Sequence, residues 1–245
     1  MNTIEPTSLE GKRILITGGT TGIGRATAVL LAAQGANVLI VGRHENELKE
    51  TLQAIQESGH SAHGCVADVS MPRAIELVFK KVDSQLGGID VLINNAALAA
   101  SGIMEEENWR YVIETNLMGY LACSREAIKR MKETGAGHLV YIGSMSADVR
   151  EEGSSVYVAT KAGIQGFTES LRKEVNPLGI KVSLIEPGAV ATPMQPASEE
   201  EQKQKQQELE MLHADDIAQA VGFVLSQPLR SDIVNLQIRP HLQLI

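Results

Sequence analysis

The sequence lacks basic clusters and has few cysteines. No run of more than two consecutive Lys or Arg occurs in its 245 residues, and the net charge is -8 at pH 7. This charge balance argues against nucleic acid or an anionic membrane surface as a partner. Cys65 and Cys123 are the only cysteines, and each lies in an apolar run. We therefore expect two buried free thiols and no disulfide.

Metal-binding and membrane-spanning patterns are also missing. His60 and His63 lie in a turn-like Gly-His-Ser-Ala-His context, without a CxxC pair or a His/Cys cluster, so no metal site is expected. No apolar run reaches about 18 residues, the length that a membrane-spanning helix needs. The first residues, Met-Asn-Thr-Ile-Glu-Pro, are polar and do not resemble a secretory signal. We expect a soluble, cytoplasmic protein.

The remaining composition is that of an ordinary globular protein. Hydrophobic residues make up 43% of the chain and charged residues 21%. A chain of this length can bury one sizeable core without metal or disulfide support.

A glycine-rich turn follows the first predicted strand, residues 12–17, and opens a helix over 25–34. In such a turn, phosphates approach the backbone N–H groups and the positive end of the helix. Gly18 would allow the tight turn, Gly22 the close approach and Gly24 close packing of helix on strand. A purely structural turn is the alternative, but the strand–turn–helix context favours dinucleotide binding.

The end of the second predicted strand, residues 37–41, indicates which dinucleotide is bound. An acidic residue at this point would contact the ribose hydroxyls of NAD, whereas an Arg accommodates the 2′-phosphate of NADP. Here Gly42 carries no carboxylate, and Arg43 offers a charged fork suited to phosphate. A surface Arg is the alternative, and we expect NADP(H) rather than NAD(H).

Strands and helices alternate along the chain. This pattern predicts a single-domain α/β protein over residues 1–245, with a doubly wound parallel seven-stranded sheet and helices on both faces. The predicted strands are 12–17, 37–41, 62–66, 89–93, 138–142, 180–186 and 233–238. The predicted helices are 25–34, 45–58, 72–86, most of 105–131, 156–175, 198–210 and 214–225. Ser198 and Glu201 could form a capping box at the start of a weakly docked helix.

Tyr157 and Lys161 are four residues apart in a predicted helix and therefore share one face. A positive charge about 5 Å from a phenol lowers its pKa by about two units if the effective dielectric constant is about 20. In water the effect would be small, and a chance pair on a solvated helix is the alternative. Ser144 lies just past a predicted strand, at the sheet edge where α/β proteins bind ligands.

Asn116 is a polar residue among apolar neighbours in a predicted helix. Such an amide either satisfies local backbone groups or takes part in chemistry. Its spacing alone favours the structural role.

Together these residues resemble the short-chain dehydrogenase/reductase family over about residues 9–240. The matching features are the 17–24 turn, Asp68-Val69, Asn94-Asn95-Ala96, Asn116, Ser144, Tyr157 with Lys161, and Pro187-Gly188 with Thr192. Ser144 stands thirteen residues before Tyr157, which is the usual spacing in that family. The end of the chain resembles a branch that contains NADP-dependent 3-hydroxy acid and serine dehydrogenases and clavulanate-type aldehyde reductases.

The resemblance implies a catalytic set of Asn116, Ser144, Tyr157 and Lys161. Tyr157 would be the general acid/base on the substrate oxygen, and Ser144 would bind the same oxygen. Lys161 would lower the pKa of Tyr157 and hold the nicotinamide ribose, and Asn116 would hold a water that links Lys161 to solvent. The residues expected at the cofactor are Gly18, Thr20, Thr21, Gly22, Ile23, Gly24, Arg43, His44, Asp68, Val69, Asn94, Ala96, Tyr157, Lys161, Pro187, Gly188, Val190 and Thr192.

The implied function is hydride transfer between NADP(H) and a small carbonyl or alcohol substrate, without nucleic acid or membrane partners. A non-catalytic NADP(H)-binding sensor or scaffold and a 3-ketoacyl reductase are the alternatives; an enoyl reductase usually has a longer Tyr–Lys spacing. Ala97 replaces the usual glycine of the Asn-Asn-Ala-Gly motif, and the common C-terminal Gly-Gly segment is absent. We expect a homodimer or homotetramer and a mobile substrate lid over about residues 192–212.

Overall fold

A parallel sheet of seven strands forms the centre of the computed structural model, which describes residues 7–243. The polar N-terminal segment discussed above therefore lies outside the described residues. The strands are β1 (Arg13–Thr17), β2 (Asn37–Gly42), β3 (Ala62–Val66), β4 (Val91–Asn94), β5 (Gly137–Ile142), β6 (Ile180–Pro187) and β7 (Asn235–Ile238). Their order is β3-β2-β1-β4-β5-β6-β7, and every neighbouring pair is parallel. The predicted doubly wound α/β fold is confirmed.

Helices cover both faces of the sheet. One face carries α1 (Gly22–Ala33), α2 (Glu45–Glu57) and α9 (Ala214–Leu225). The other face carries α3 (Pro72–Lys81), α5 (Gly119–Thr134) and α7 (Ser155–Val175). Three shorter helices are α4 (Trp109–Ile113), α6 (Ser146–Val149) and α8 (Glu199–Gln207).

The apolar strands follow from this two-sided burial. Ile14 and Ile16 of β1 pack in the core on the α1 side, while Leu15 between them packs on the α5 side. Successive side chains of a strand point to opposite faces, so a strand covered on both faces needs an unbroken apolar run. None of these three side chains is accessible to solvent.

The helix predicted over most of 105–131 is interrupted by a wider turn. α4 begins at Trp109, and the chain then forms a π-helical turn, Glu114–Met118, before α5 continues to Thr134. A π turn accommodates one extra residue in a helix and occurs frequently at functional sites. Asn116 lies in its middle. A second π turn, Val82–Leu86, extends α3 to the predicted end of that helix.

The strand order places a crevice at one edge of the sheet. The chain adds β2 and β3 on one side of β1 and then crosses over to add β4 on the other side. Ligands of open α/β sheets bind at such a switch point, beyond the carboxyl ends of the strands. The carboxyl ends of β1, β4, β5 and β6 bring the glycine-rich turn, Asn95, Ser144 and Gly188 to this edge.

The end of the chain differs slightly from the prediction. β7 begins at Asn235 rather than at residue 233, and its four residues pair with Leu184–Pro187 of β6. Within residues 7–243, no helix has the length and apolar character that crossing a bilayer requires.

Candidate active site

The glycine-rich turn between β1 and α1 forms one wall of the crevice. Gly18 and Gly22 have positive φ values of 62° and 50°, a conformation that side chains disfavour. A Cβ on Gly24 would lie 2.0 Å from the carbonyl oxygen of Gly18, which explains the glycine there by close packing. Thr21, the residue before α1, makes no side-chain capping bond, and the first turn of α1 contains no acidic residue. The helix terminus is therefore suited to an anionic ligand.

Three cavities lie along the crevice, and the segment that contains Met194 borders all of them. The side cavity, about 420 Å³, lies at the ends of β2 and β3 and includes Gly18, Thr20, Thr21, Arg43, His44, Glu47, Asp68, Val69, Ala96 and Thr115. The central cavity, about 130 Å³, includes Thr21, Gly22, Ile23, Asn95, Ser144, Tyr157, Lys161, Pro187, Gly188, Val190 and Thr192. The outer cavity, about 430 Å³, includes Ala99, Ser144, Met145, Ser146, Val149, Glu151, Ser154, Tyr157, Gln195 and Gln243.

Most residues predicted at the site line the side or central cavity, but Gly24, Asn94 and Asn116 do not. Asn94 is completely buried and donates a hydrogen bond to Ser124 Oγ at 3.2 Å, so its side chain points away from the crevice. The next residue, Asn95, is the one that reaches the glycine turn. Its amide donates to the carbonyl oxygens of Thr17 (3.1 Å) and Gly18 (2.8 Å). Sequence reasoning missed this contact, for which the Asn-Asn pair is the only visible signal.

Arg43 and Asp68 are joined across the side cavity by Tyr111. Arg43 Nη1 donates to the Tyr111 hydroxyl oxygen at 2.7 Å, and that hydroxyl donates to Asp68 Oδ2 at 2.5 Å. The guanidinium carbon also lies 5.8 Å from the centre of the Tyr111 ring. No sequence pattern pointed to Tyr111, because α4 meets the ends of β2 and β3 only in the folded chain. The three side chains form a cluster that we call the tyrosine clasp.

The tyrosine clasp keeps Asp68 ionised. Burial would raise the pKa of Asp68, but hydrogen bonds from Tyr111 and Ser70, with the nearby Arg43 charge, hold the pKa below its usual value. The side cavity therefore carries a guanidinium and a carboxylate that are hydrogen-bonded to the same phenol. Arg43 remains positively charged at one side of this cavity, next to His44.

Tyr157 and Ser144 border both the central and the outer cavity. Burial raises the pKa of the Tyr157 phenol, the Ser144 hydroxyl opposes this by hydrogen bonding, and the Glu151 carboxylate adds to the rise. The pKa of Tyr157 is raised overall, whereas the spacing of Tyr157 and Lys161 predicted a lowered pKa. The phenol of Tyr157 is therefore protonated at neutral pH.

Lys161 is buried beside Tyr157. Its side chain is 2% exposed, and Nζ donates to the carbonyl oxygen of Ile142 at 2.9 Å. Nζ lies 5.6 Å from the ring centres of both Tyr120 and Tyr157. Burial lowers the pKa of Lys161 to about 8. The same low-dielectric surroundings that would strengthen the attraction between the ammonium and a Tyr157 phenolate therefore also destabilise the ammonium.

Asn116 fixes the loop that follows β4. Its Oδ1 accepts a hydrogen bond from the backbone N–H of Leu98, and its Nδ2 donates to the carbonyl oxygen of Leu98, each at 2.8 Å. Nδ2 is also 3.4 Å from Thr160 Oγ1 on α7. The π turn thus presents an amide that pairs with one backbone unit and touches the helix of Tyr157. The geometry shows what Asn116 binds, and its part in a water relay stays a prediction.

A family model described as short chain dehydrogenase matches residues 12–203, more than half of the chain. The chain belongs to the short-chain dehydrogenase/reductase family. It is therefore an oxidoreductase. Its crevice, with Ser144, Tyr157 and Lys161 at one end, is the candidate active site of this short-chain dehydrogenase.

Curated relatives of this short-chain dehydrogenase include named reductases. It is 36% identical over 199 residues to a 3-oxoacyl-[acyl-carrier-protein] reductase FabG of Vibrio cholerae, covering 80% of each chain. It is 33% identical over 232 residues to an uncharacterized oxidoreductase of Staphylococcus epidermidis, covering 94% of this chain and 97% of the relative.

Solved structures of relatives contain the phosphorylated dinucleotide. A variant of actinorhodin polyketide ketoreductase, solved with NADPH, is similar at a TM-score of 0.86 and 30% identity, covering 95% of this chain and 97% of that one. A short chain dehydrogenase from Burkholderia cenocepacia, in complex with NADP, is similar at a TM-score of 0.83 and 30% identity, covering 95% and 98%.

Proposed function

We propose that this enzyme is an NADP(H)-dependent reductase of small carbonyl compounds, which it converts reversibly to alcohols. One observation carries the proposal: Tyr157 and Ser144 stand between the central cavity and the outer cavity. A dinucleotide along the side and central cavities would end beside these hydroxyls, and a substrate in the outer cavity would meet them from the other side. The relatives solved with NADP or NADPH support this arrangement.

The residues of the crevice fit such a cofactor. Gly22 provides the close approach, since a Cβ there would be 3.0 Å from the Thr192 side chain that borders the same cavity. The α1 terminus would bind the pyrophosphate, and Arg43 with His44 the 2′-phosphate. Asp68 and Val69 would border the adenine. When bound, the cofactor supplies a hydride to the carbonyl carbon.

Tyr157 would donate its proton to the carbonyl oxygen as the hydride arrives, and would accept it back in alcohol oxidation. A raised pKa keeps this proton on the phenol at neutral pH, which suits reduction. Ser144 would donate a second hydrogen bond to the oxygen on which negative charge develops. The Lys161 ammonium would stabilise the phenolate left on Tyr157 and hold the ribose.

Asn116 would act through the backbone that it binds. Its pairing with Leu98 holds the loop 95–99, whose members border all three cavities. Its contact with Thr160 joins this loop to α7, so the amide would hold Tyr157, on the same helix, in position beside the cofactor site. The water relay to Lys161 that the family resemblance implies would use the same residue.

Replacing Tyr157 with Phe tests the proposal directly. Tyr157→Phe should lower kcat by about 10²- to 10⁴-fold with aldehydes and ketones, because the acid is lost, while NADPH binding is kept. NADPH oxidation and NADPH fluorescence titration would measure the two quantities. Tyr141→Phe is the matched control, since that buried hydroxyl lies outside the crevice and contacts Ser124. Unchanged turnover in Tyr157→Phe would refute the mechanism, and NADPH binding without turnover in the wild type would favour a sensor.

Arg43 gives a separate test of the cofactor. Arg43→Ala should weaken NADP binding by about tenfold or more and leave NAD binding nearly unchanged, because only NADP carries the 2′-phosphate. Arg73→Ala, an exposed arginine on α3, is the control. Tighter wild-type binding of NAD than of NADP would overturn the cofactor assignment.

Reduction of 3-oxoacyl thioesters is the second candidate, and the similarity to FabG reductases favours it. The sequence at the end of the chain supports another group of substrates, those of the branch that contains 3-hydroxy acid and serine dehydrogenases and aldehyde reductases. Comparing thioesters, aldehydes and 3-oxo esters as substrates would separate these candidates.

The oligomeric state is a separate proposal, and sedimentation velocity would test the expected homodimer or homotetramer.

A further inference from the structure

The outer cavity carries a single charge. Of its lining residues within the described chain, Glu151 alone has an ionised side chain, and the others are apolar or neutral polar. Among residues 7–243, no Lys or Arg lines this cavity to offset the carboxylate. A substrate that enters it therefore meets a net negative charge.

Glu151 is held at the cavity by the chain that follows Ser144. Ser146 Oγ donates a hydrogen bond to Glu151 Oε1 at 2.6 Å, and the Ser146 N–H donates to Ser144 Oγ at 3.1 Å. Two hydrogen bonds thus connect the carboxylate with the serine that would bind the substrate oxygen. The carboxylate is also close enough to affect Tyr157, whose pKa it raises.

The contacts of Glu151 in the described part of the chain are hydrogen bonds rather than salt bridges. Glu151 forms no ion pair there, and the adjacent Arg150 donates from Nε to the carbonyl oxygen of Ala147. Residue 150 has a φ of 55°, so the backbone turns sharply immediately before Glu151. The negative charge remains available to act on the contents of the outer cavity.

We propose that Glu151 determines the substrate charge that the enzyme accepts, favouring neutral and cationic carbonyl compounds and disfavouring carboxylates. A carboxylate substrate such as a 3-oxo acid would bring a second negative charge into a cavity without a cation, which is unfavourable. An ammonium group on the substrate would instead be attracted. The inference rests on the proposed reductase function and narrows it, because it makes 3-hydroxy and 3-oxo acids poor substrates.

Glu151 is exposed, so solvent screens its charge. Exposed charge pairs have modest effects, equivalent to about two- to fivefold in affinity. The selectivity should therefore shrink as salt is added, which distinguishes a charge effect from a change of cavity shape.

Three substrates with the same acyl group provide the experiment. Acetoacetate is an anion, ethyl acetoacetate is neutral and the choline ester of acetoacetate is a cation. In the wild type, kcat/KM should rise in that order. Glu151→Gln should raise the ratio of acetoacetate to ethyl ester by about two- to fivefold and lower the ratio of choline ester to ethyl ester. Glu151→Lys should shift both ratios further in the same directions.

Glu152→Gln is the matched control, because its exposed neighbouring carboxylate does not line the outer cavity. It should change neither ratio by more than about 1.5-fold. Equal effects of Glu151→Gln on all three substrates, or equal shifts from Glu152→Gln, would overturn the proposal.

Binding of unreactive analogues separates this inference from the proposed function. Butyrate, butyramide and butyrylcholine can be titrated against the enzyme with NADPH present, and the same order of affinity is expected. If NADPH bound but none of the three oxo compounds were reduced, the reductase proposal would fail while the charge preference could still be read. If affinity did not depend on analogue charge, the role of Glu151 would be refuted even in an active enzyme.

Discussion

Tyr111 ties two charged side chains of opposite sign to one phenol at the side cavity. Arg43 donates to its oxygen, and the same hydroxyl donates to Asp68. A guanidinium on a long side chain loses much conformational freedom when it binds a ligand. Because the clasp already restrains Arg43, less freedom remains to be lost when a phosphate is bound.

Loss of the Tyr111 hydroxyl should therefore affect cofactor choice. Tyr111→Phe removes both hydrogen bonds and should weaken NADP binding by about five- to tenfold, with a smaller effect on NAD. Parallel fluorescence titrations of NADPH and NADH would measure the ratio of dissociation constants. Tyr141→Phe serves again as the control for removal of a tyrosine hydroxyl elsewhere. An unchanged ratio in Tyr111→Phe would show that Arg43 needs no such support.

Individual site residues differ in how far the sequence revealed them. The glycine turn, Arg43, Ser144, Tyr157 and Lys161 could be found because each follows a strand end or a helical spacing. Tyr111 could not, because its contacts join three elements that are distant in the chain. The raised pKa of Tyr157 was not visible in the sequence, since the helical spacing that pairs it with Lys161 does not show that burial acts on the phenol.

Among the elements, α8 has little buried surface and is stabilised by local interactions. Gln202 is its single buried residue, and its first turn is closed by the predicted capping box. Glu201 N–H donates to Ser198 Oγ at 3.2 Å, and Ser198 N–H donates to Glu201 Oε2 at 2.8 Å. This helix follows Met194, which borders all three cavities. The mobile lid over 192–212 stays a prediction.

Removing the cap should loosen α8. Ser198→Ala should destabilise this helix by about 1 kcal/mol and speed hydrogen exchange of the backbone over 199–207 by about fivefold. Hydrogen-exchange mass spectrometry without ligand would measure the change. Ser231→Ala, at a turn outside the lid, should leave exchange over 199–207 unaltered. Slow exchange there in the wild type would contradict the expected mobility of the lid.

Helix positions could be predicted better than helix interiors. The helices α3, α5 and α7 were predicted to exist, and each places a stripe of side chains in one core. The π turn at Glu114–Met118 was not visible, since one inserted residue leaves apolar residues on both sides. β7 was predicted two residues too long because Ile233 and Val234 are apolar; the Val234 carbonyl oxygen still accepts a hydrogen bond from the Leu184 N–H, but the strand itself begins at Asn235.

At the scale of the whole molecule, the fold followed from alternating apolar strands and amphipathic helices. The order of the strands around β1 did not follow from that alternation, because either direction of crossover leaves the same pattern in the sequence. The structure supplies that order and with it the crevice.

The interior of the sheet also contains a buried imidazole, His138 at the start of β5, whose ring Nε2 is 2.8 Å from Ser183 Oγ.

His138 should make the protein less stable in mild acid. Burial lowers its pKa from 6.5 to about 4, with Lys181 adding to the shift and Asp232 opposing it. The unfolded chain therefore binds more protons than the folded chain between about pH 6.5 and pH 4. Stability is retained above pH 6.5 and falls as the pH drops through this window, by up to about 3 kcal/mol.

Urea unfolding at about pH 7 and about pH 4.5 would measure this effect. His138→Gln should lose most of the pH dependence that the wild type shows in this window, whatever its stability at neutral pH. His63→Gln is the control, since that imidazole is exposed. An equal loss of stability on acidification in wild type and His138→Gln would assign the acid sensitivity to other groups.

The π turn also sets the rotational phase of α4. Each residue of an α-helix advances the side-chain direction by about 100°, so one residue fewer between Glu114 and Met118 would rotate α4 by that angle relative to α5. Tyr111 would then point away from Arg43 and Asp68. The length of this turn, counted in single residues, thus aims the tyrosine clasp at the side cavity, and an alignment that omits one residue here would misplace every side chain of α4.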